Sequence, residues 1–260
     1  MRITVLTENC AGDRLLAEHG LSYYIEHNGT NLLFDTGHSD VFLKNAGQLK
    51  IDLQNQIELV VLSHGHWDHG DGLRFIDNKT VITHPDAFIK RYRKKDHSYI
   101  GLSLSREEVE QKFTLITSEG PYYLSDEIIF LGAIPRLNDF ESLSTAFLSE
   151  DETDDFVPDD SGLAIIHQGD LIVISGCSHA GICNTIENAK KVTGINRVKA
   201  VLGGFHLKNI DHVTDKTIQF LKDNHISGIY PSHCTELPAL TAFYSAFKTF
   251  QVKTGSVFIF

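Results

Sequence analysis

Residues 63–72 read Ser63-His64-Gly65-His66-Trp67-Asp68-His69-Gly70-Asp71-Gly72, directly after the apolar run Ile57-Glu58-Leu59-Val60-Val61-Leu62. A short run rich in β-branched residues and closed by a turn predicts a buried strand. The polar cluster therefore stands at a strand's C-terminal end, where ligands collect in α/β sheets. Eight consecutive residues, His64 to Asp71, supply three imidazoles and two carboxylates. His64 and His66 are two apart on a glycine-interrupted turn, so both rings can point at one ion. Asp68 and His69 lie a little further on and would more easily reach a second ion beside it. Nitrogen and oxygen donors of this kind suit zinc, and they also accept manganese or iron. A plain polar loop is the competing reading, but clustered histidines repel once protonated and bury poorly unless a cation organises them.

The stretch His64-Gly65-His66-Trp67-Asp68-His69-Gly70 resembles the HxHxDH motif of the metallo-β-lactamase superfamily. That resemblance implies an α/β fold, a four-layer αββα sandwich. Further pieces follow in the superfamily's order. Asp35, in Leu33-Phe34-Asp35-Thr36-Gly37, resembles the early aspartate that braces the metal loop from outside the ligand set. Three stretches resemble one branch, that of dihydropterin ribofuranosylaminobenzene phosphate synthase. They are Gly176-Cys177-Ser178-His179-Ala180-Gly181, Gly203-Gly204-Phe205-His206-Leu207 and Ser232-His233-Cys234-Thr235.

The 260 residues can bury one substantial core, so a single domain over 1–260 is expected, with a variable insert at about 86–125. A hydrophobic content of 42% and a charged content of 22% are ordinary for a soluble globular chain. A net charge of −11 disfavours nucleic acid and anionic membrane as partners. No apolar run reaches the length of a membrane span, and the first residues enter a strand without a signal-peptide pattern. Four cysteines without CxxC spacing favour a reducing cytoplasm. The oligomeric state is not legible.

Taken in order, Arg2 to Thr7 alternates as a strand. Asn28-Gly29-Thr30 marks a hairpin between Leu21–His27 and Asn31–Asp35, because Asn-Gly accepts positive φ. His38 to Gln48 reads as a short helix, and Leu73 to Ile76 as a helical stretch. Thr80 to Thr83 is a strand ending at His84, which either faces the site or lies at the surface. Lys90-Arg91-Tyr92-Arg93-Lys94-Lys95 carries five positive charges in six residues. A solvated helix face is the default reading. The alternative is a lid in which Lys94 and Lys95 receive an anionic substrate such as a phosphate ester. Glu127–Leu131 and Ser144–Leu148 read as strands, and the seven acidic residues from Glu150 to Asp160 as a charged loop.

Asp159 or Asp160 stands just before the strand Leu163–Ile166, where many superfamily members have a metal-binding histidine; this chain has none. A hairpin around Gln168-Gly169 leads into Cys177 and His179. The superfamily's bridging aspartate falls at Cys177, so His179 is the favoured ligand and Cys177 an alternative. Helices are expected at Thr185–Val192, Val213–Asn224 and about Ala239–Phe250. Strands are expected at Val198–Leu202, Gly228–Tyr230 and Ser256–Phe260. His233, presented after a strand, resembles the final metal ligand.

The expected function is that of a dinuclear metal-dependent hydrolase or transferase. It would hold two divalent ions, zinc first, through His64, His66, Asp68, His69, His179 and His233. The resemblance implies a small anionic substrate, phosphorylated or pterin-like. Asp68 would orient the nucleophile, and His206 would stabilise transition-state charge, with metal binding or capping of a packed loop as its other readings. A lactonase or β-lactamase activity is the hydrolytic alternative. Iron redox chemistry is another, although iron-dependent flavodiiron members carry a glutamate where His66 stands. A non-catalytic metal-binding module is a third.

Overall fold

Period-two apolar runs and Asn-Gly or Gln-Gly turns become strands and hairpins throughout the computed structural model, which describes residues 1–260. In chain order the elements are β1 (Arg2–Thr7), β2 (Ser22–His27), β3 (Thr30–Phe34), α1 (Val41–Gln48), α2 (Leu53–Gln56) and β4 (Leu59–Val61). Next come α3 (Trp67–Gly70), β5 (Thr80–Thr83), β6 (Arg91–Arg93), α4 (Arg106–Lys112) and β7 (Thr114–Thr117). They are followed by β8 (Tyr122–Tyr123), β9 (Ile128–Phe130), β10 (Phe147–Ser149), β11 (Asp154–Asp155), β12 (Gly162–His167) and β13 (Asp170–Ser175). The chain closes with α5 (Ile182–Thr193), β14 (Val198–Gly204), α6 (His212–Asp223), β15 (Gly228–Ser232), α7 (Leu237–Ala246) and β16 (Val257–Ile259). No helix is long and apolar enough to cross a membrane.

Two compact units emerge. One comprises Met1–Glu119, Ala146–Asp155 and Lys253–Phe260; the other comprises Gly120–Thr145 and Phe156–Val252. The first holds a seven-stranded sheet in the order β16-β1-β2-β3-β4-β5-β7 and a small sheet β11-β10-β6. Strands β3, β4, β5 and β7 run parallel. A core of Leu6, Leu33, Phe42, Val60, Leu62 and Val81, among others, lies against this sheet's helices. The second unit holds a six-stranded sheet in the order β15-β14-β13-β12-β9-β8, with β13, β14 and β15 parallel. Its own core gathers Val173, Ile186, Val201, Leu221, Ile229 and Phe243. In each unit, the C-terminal ends of the parallel strands carry the residues singled out from the sequence.

The structure amends several expectations. Leu73–Ile76 belongs to a tighter 3₁₀ turn, Asp71–Phe75, and the helix expected from His38 starts at Val41. The strand expected over Ser144–Leu148 occupies Phe147–Ser149. Within the segment expected as an insert, Thr114–Thr117 is an edge strand of the main sheet. The basic run is a strand rather than a helix face, because β6 pairs with β10. Arg91 is fully buried, its Nε donating to Asp155 at 2.7 Å and its guanidinium to the Asp86 carbonyl at 3.1 Å. Lys90 pairs with Glu150 at 2.7 Å and Lys94 with Asp154 at 2.6 Å. The basic and acidic runs, read separately in the sequence, neutralise one another.

Candidate functional site

In the first unit, β3 delivers Asp35 and β4 delivers Ser63 and His64. The two strands are parallel neighbours, which brings positions 28 residues apart together. Asp35 is fully buried and adopts φ +55°, the left-handed region that costs a non-glycine residue strain, as is common at functional sites. Its Oδ1 accepts the Ser63 N–H at 2.7 Å. Its Oδ2 accepts the Ser63 hydroxyl at 2.8 Å and the His69 Nδ1–H at 2.7 Å. Burial pushes this carboxyl above the usual range, against the pull of His69 and Ser63.

Those bonds fix the imidazoles. With its proton given to Asp35, the Ser63 hydroxyl accepts from His64 Nδ1 at 2.9 Å. His64 and His69 are thereby held at Nδ1, which leaves each Nε2 with a lone pair. His64 Nε2 lies 3.0 Å from His66 Nδ1, and the His64 ring is 4.3 Å from that of His69. His69 Nε2 stands 3.9 Å from Asp68 Oδ2. Four predicted ligands thus converge, and the donor set fits a divalent ion. His64 and His69 are oriented at Nδ1 by outer partners, the arrangement that raises ligand basicity and fixes ring direction. Gly65 is required here, since a Cβ would meet the Ala87 carbonyl oxygen at 1.7 Å.

In the second unit, the loops after β13, β14 and β15 carry His179, His206 and His233. Ser178, His206 and His233 all adopt left-handed φ, at +55°, +50° and +51°. The loops are laced together. Ser178 Oγ donates to the Gly204 carbonyl at 2.8 Å, the Gly204 N–H donates to Gly176 at 3.0 Å, and the Phe205 N–H donates to Thr235 Oγ1 at 3.0 Å. Gly203, at φ +117°, has no room for a Cβ, which would stand 1.9 Å from the Ser175 carbonyl oxygen. The His179 and His206 rings lie 4.5 Å apart. The ligand atoms of Cys177, His233 and Cys234 all lie within 4.8 Å of one another.

Of the Asp159-Asp160 pair just before β12, Asp160 serves the loop that carries His179. It is buried, and its Oδ2 accepts the Ala180 N–H at 2.8 Å and also bonds the His179 N–H. It braces the Cys177–Ala180 loop as Asp35 braces the Ser63–His69 loop. Burial pushes its carboxyl up to about 7, with these two N–H bonds pulling the other way. Lys94 is engaged with Asp154, and Lys95 lies exposed on the following turn. His84 is buried; its Nδ1 accepts the Asp86 N–H at 3.1 Å and caps a turn.

Sequence reading missed four contributors: Ser63 as a relay, Asp160 as a brace, Cys234 beside Cys177, and His19. The His19 Nε2 stands 3.1 Å from Asp68 Oδ2. The strand-end position of Ser63, the Asp159-Asp160 pair before β12 and the place of Cys234 inside Ser232-His233-Cys234-Thr235 are the signals the sequence holds; His19 has none.

Comparison with known proteins adds family evidence. Residues 16–190 match the metallo-β-lactamase superfamily model. The chain is 34% identical to the 7,8-dihydropterin-6-methyl-4-(β-D-ribofuranosyl)-aminobenzene-5′-phosphate synthase of Methanocaldococcus jannaschii, covering 95% of this chain and 92% of that protein. An uncharacterised protein of the same organism is 35% identical, over 92% of each chain. Among solved structures, the metal-dependent hydrolase Tm1679 of the β-lactamase superfamily is 30% identical with a TM-score of 0.89, over 100% of this chain and 99% of that one.

Proposed function

Because the chain belongs to the metallo-β-lactamase superfamily, we propose that it is a metal-dependent enzyme acting on a small anionic substrate, phosphorylated or pterin-like. The observation that carries the proposal is the orientation of His64 and His69 by Ser63 and Asp35, beside His66 and Asp68. Two imidazoles held at their outer nitrogens present their inner ones to a cation. Two divalent ions are proposed, most simply zinc, with His64, His66, Asp68, His69, His179 and His233 as ligands and Cys177 as the alternative. When bound, such ions acidify water towards neutral pH and neutralise charge on a leaving oxygen.

The protein's own residues do the rest. Asp35 and Ser63 keep His64 and His69 in one tautomer. Asp68 holds and orients the attacking group, and His206 donates to the oxygen on which charge develops. Lys94 and Lys95 are the proposed cations for the substrate's anion, although a ligand at Lys94 would displace its pair with Asp154. The name of the 34% identical synthase supports a phosphorylated, pterin-like substrate. A reducing cytoplasm suits the four free cysteines.

The test is metal analysis by plasma mass spectrometry on protein purified without added metal. Turnover of bis-p-nitrophenyl phosphate and of an uncharged lactone is measured alongside. About two equivalents of zinc or manganese and faster phosphodiester turnover are expected. Iron, or an absence of bound metal after reconstitution, sinks the proposal; faster lactone turnover sinks its substrate half.

A further inference from the structure

His19 lies on the segment between β1 and β2, which has no apolar periodicity and no motif. Yet its neighbours are fastened on every side. Glu18 accepts the N–H groups of His38 and Ser39 at 3.0 and 3.1 Å and the Ser39 hydroxyl at 2.5 Å. Asn45 bonds both the N–H and the carbonyl of Leu16, at 2.9 Å each. The Leu21 N–H donates to the Asp68 carbonyl at 3.2 Å. Gly20 sits so close that a Cβ there would be 2.9 Å from the same carbonyl oxygen. Together these bonds hold the His19 backbone against the metal loop.

The side chain is oriented as well. Asn9 Oδ1 accepts the Gly20 N–H at 3.2 Å, which fixes which end of the amide is which. Asn9 Nδ2 is then the end facing His19 Nδ1, at 3.4 Å. With Nδ1 as acceptor, the imidazole proton resides on Nε2, 3.1 Å from Asp68 Oδ2. The ring also leans on Trp67, centroid to centroid 5.5 Å. An amide, an imidazole and a carboxylate thus form a chain that ends on a proposed metal ligand. His19's side chain is 56% exposed and supports no core, so packing does not account for this arrangement.

We propose that His19 is a positioning residue for Asp68: its Nε2–H holds the carboxylate in one rotamer, and Asn9 holds His19. The inference rests on the reading of Asp68 as a ligand and adds a partner to it from outside the motif. Partners of this kind typically set metal affinity by about 10–100-fold.

Four proteins decide it: the parent, His19→Ala, His19→Gln and Asn9→Ala. Zinc affinity is measured by competition with a chromophoric chelator, kcat and KM on bis-p-nitrophenyl phosphate, and the melting temperature of the metal-free protein. His19→Ala should weaken zinc binding roughly 10–100-fold and lower kcat more than it raises KM. Its metal-free melting temperature should match the parent's. His19→Gln should recover most of the loss, because its terminal amide nitrogen reaches about as far as Nε2 and also donates. Asn9→Ala should fall between the two. Equal zinc affinity in His19→Ala and parent overturns the inference while leaving the metal reading intact. A Gln variant as impaired as the Ala variant also overturns it, since donation would then not be the cause. A parent that binds no zinc overturns both.

Discussion

Asp35→Asn swaps one buried carboxylate oxygen for an N–H₂ group and changes almost nothing in volume. Oδ1 of the new amide can still accept the Ser63 N–H, which now bonds Asp35 at 2.7 Å. The nitrogen replaces Oδ2 and faces two groups that now donate to it, the Ser63 hydroxyl at 2.8 Å and His69 Nδ1 at 2.7 Å. Both must become acceptors. His69 then carries its proton on Nε2 and loses the lone pair it would offer a metal. The freed Ser63 hydroxyl proton is also free to turn to His64 Nδ1, which would push that ring to the same wrong tautomer. Restoring the right tautomer leaves an N–H facing an N–H, a buried unmade bond costing about 1–3 kcal/mol. That corresponds to a loss of roughly 5- to 150-fold in metal affinity. The metal-free fold should not suffer equally, because burial already pushes the Asp35 carboxyl upward and a neutral amide removes that penalty. The assay pairs zinc affinity by chelator competition with thermal melts with and without zinc. The zinc-dependent rise in melting temperature should shrink while the metal-free value holds. Unchanged zinc affinity would refute the argument that Asp35 selects the tautomer.

Other predictions concern each unit in turn. Helix α5 begins at Gly181, which has no side chain to cap it; Glu141 supplies the cap from a distant loop, accepting from the Cys183 and Asn184 N–H groups at 2.9 and 3.0 Å. Burial raises the Glu141 carboxyl above its usual range. Its share of stability is therefore full below the ordinary glutamate range and is lost as pH rises through the raised value. Across a pH series, the melting temperature of Glu141→Gln relative to the parent should climb over that window, and parallel curves would contradict the sign. Arg91→Ala strands the buried Asp155 and should cost about 3–5 kcal/mol in urea unfolding; adding Asp155→Leu to Arg91→Met should recover much of it. His206→Ala should lower kcat about 10²–10³-fold with metal content near the parent's. Loss of about one equivalent of metal would instead make His206 a ligand.

The densest part of the site needed no tertiary information. His64, His66, Asp68 and His69 lie within six residues of chain, so one turn after one apolar strand brings their donors together, and local spacing is enough to read it. Asp35 was legible only through resemblance, because its bonds to Ser63 depend on β3 and β4 lying side by side, and a sequence does not state which strands are neighbours. The same limit explains Arg91. Five positive charges in six residues read as a solvated face, and only the pairing of β6 with β10 shows that one of them is buried against Asp155. Around Asp160 the sequence shows only that a histidine is absent, whereas the bonds of Asp160 to the Ala180 and His179 N–H groups depend on a hairpin closing over some twenty residues. His19 left no trace in the sequence. Its segment has neither periodicity nor motif, and its place beside Asp68 follows from hydrogen bonds to Glu8, Asn9, His38, Ser39 and Asn45, or made by them, that form only when the first unit is folded. Sequence specifies chemistry where the reacting groups are neighbours in the chain; where they meet across strands and loops, the backbone bonds of the fold decide.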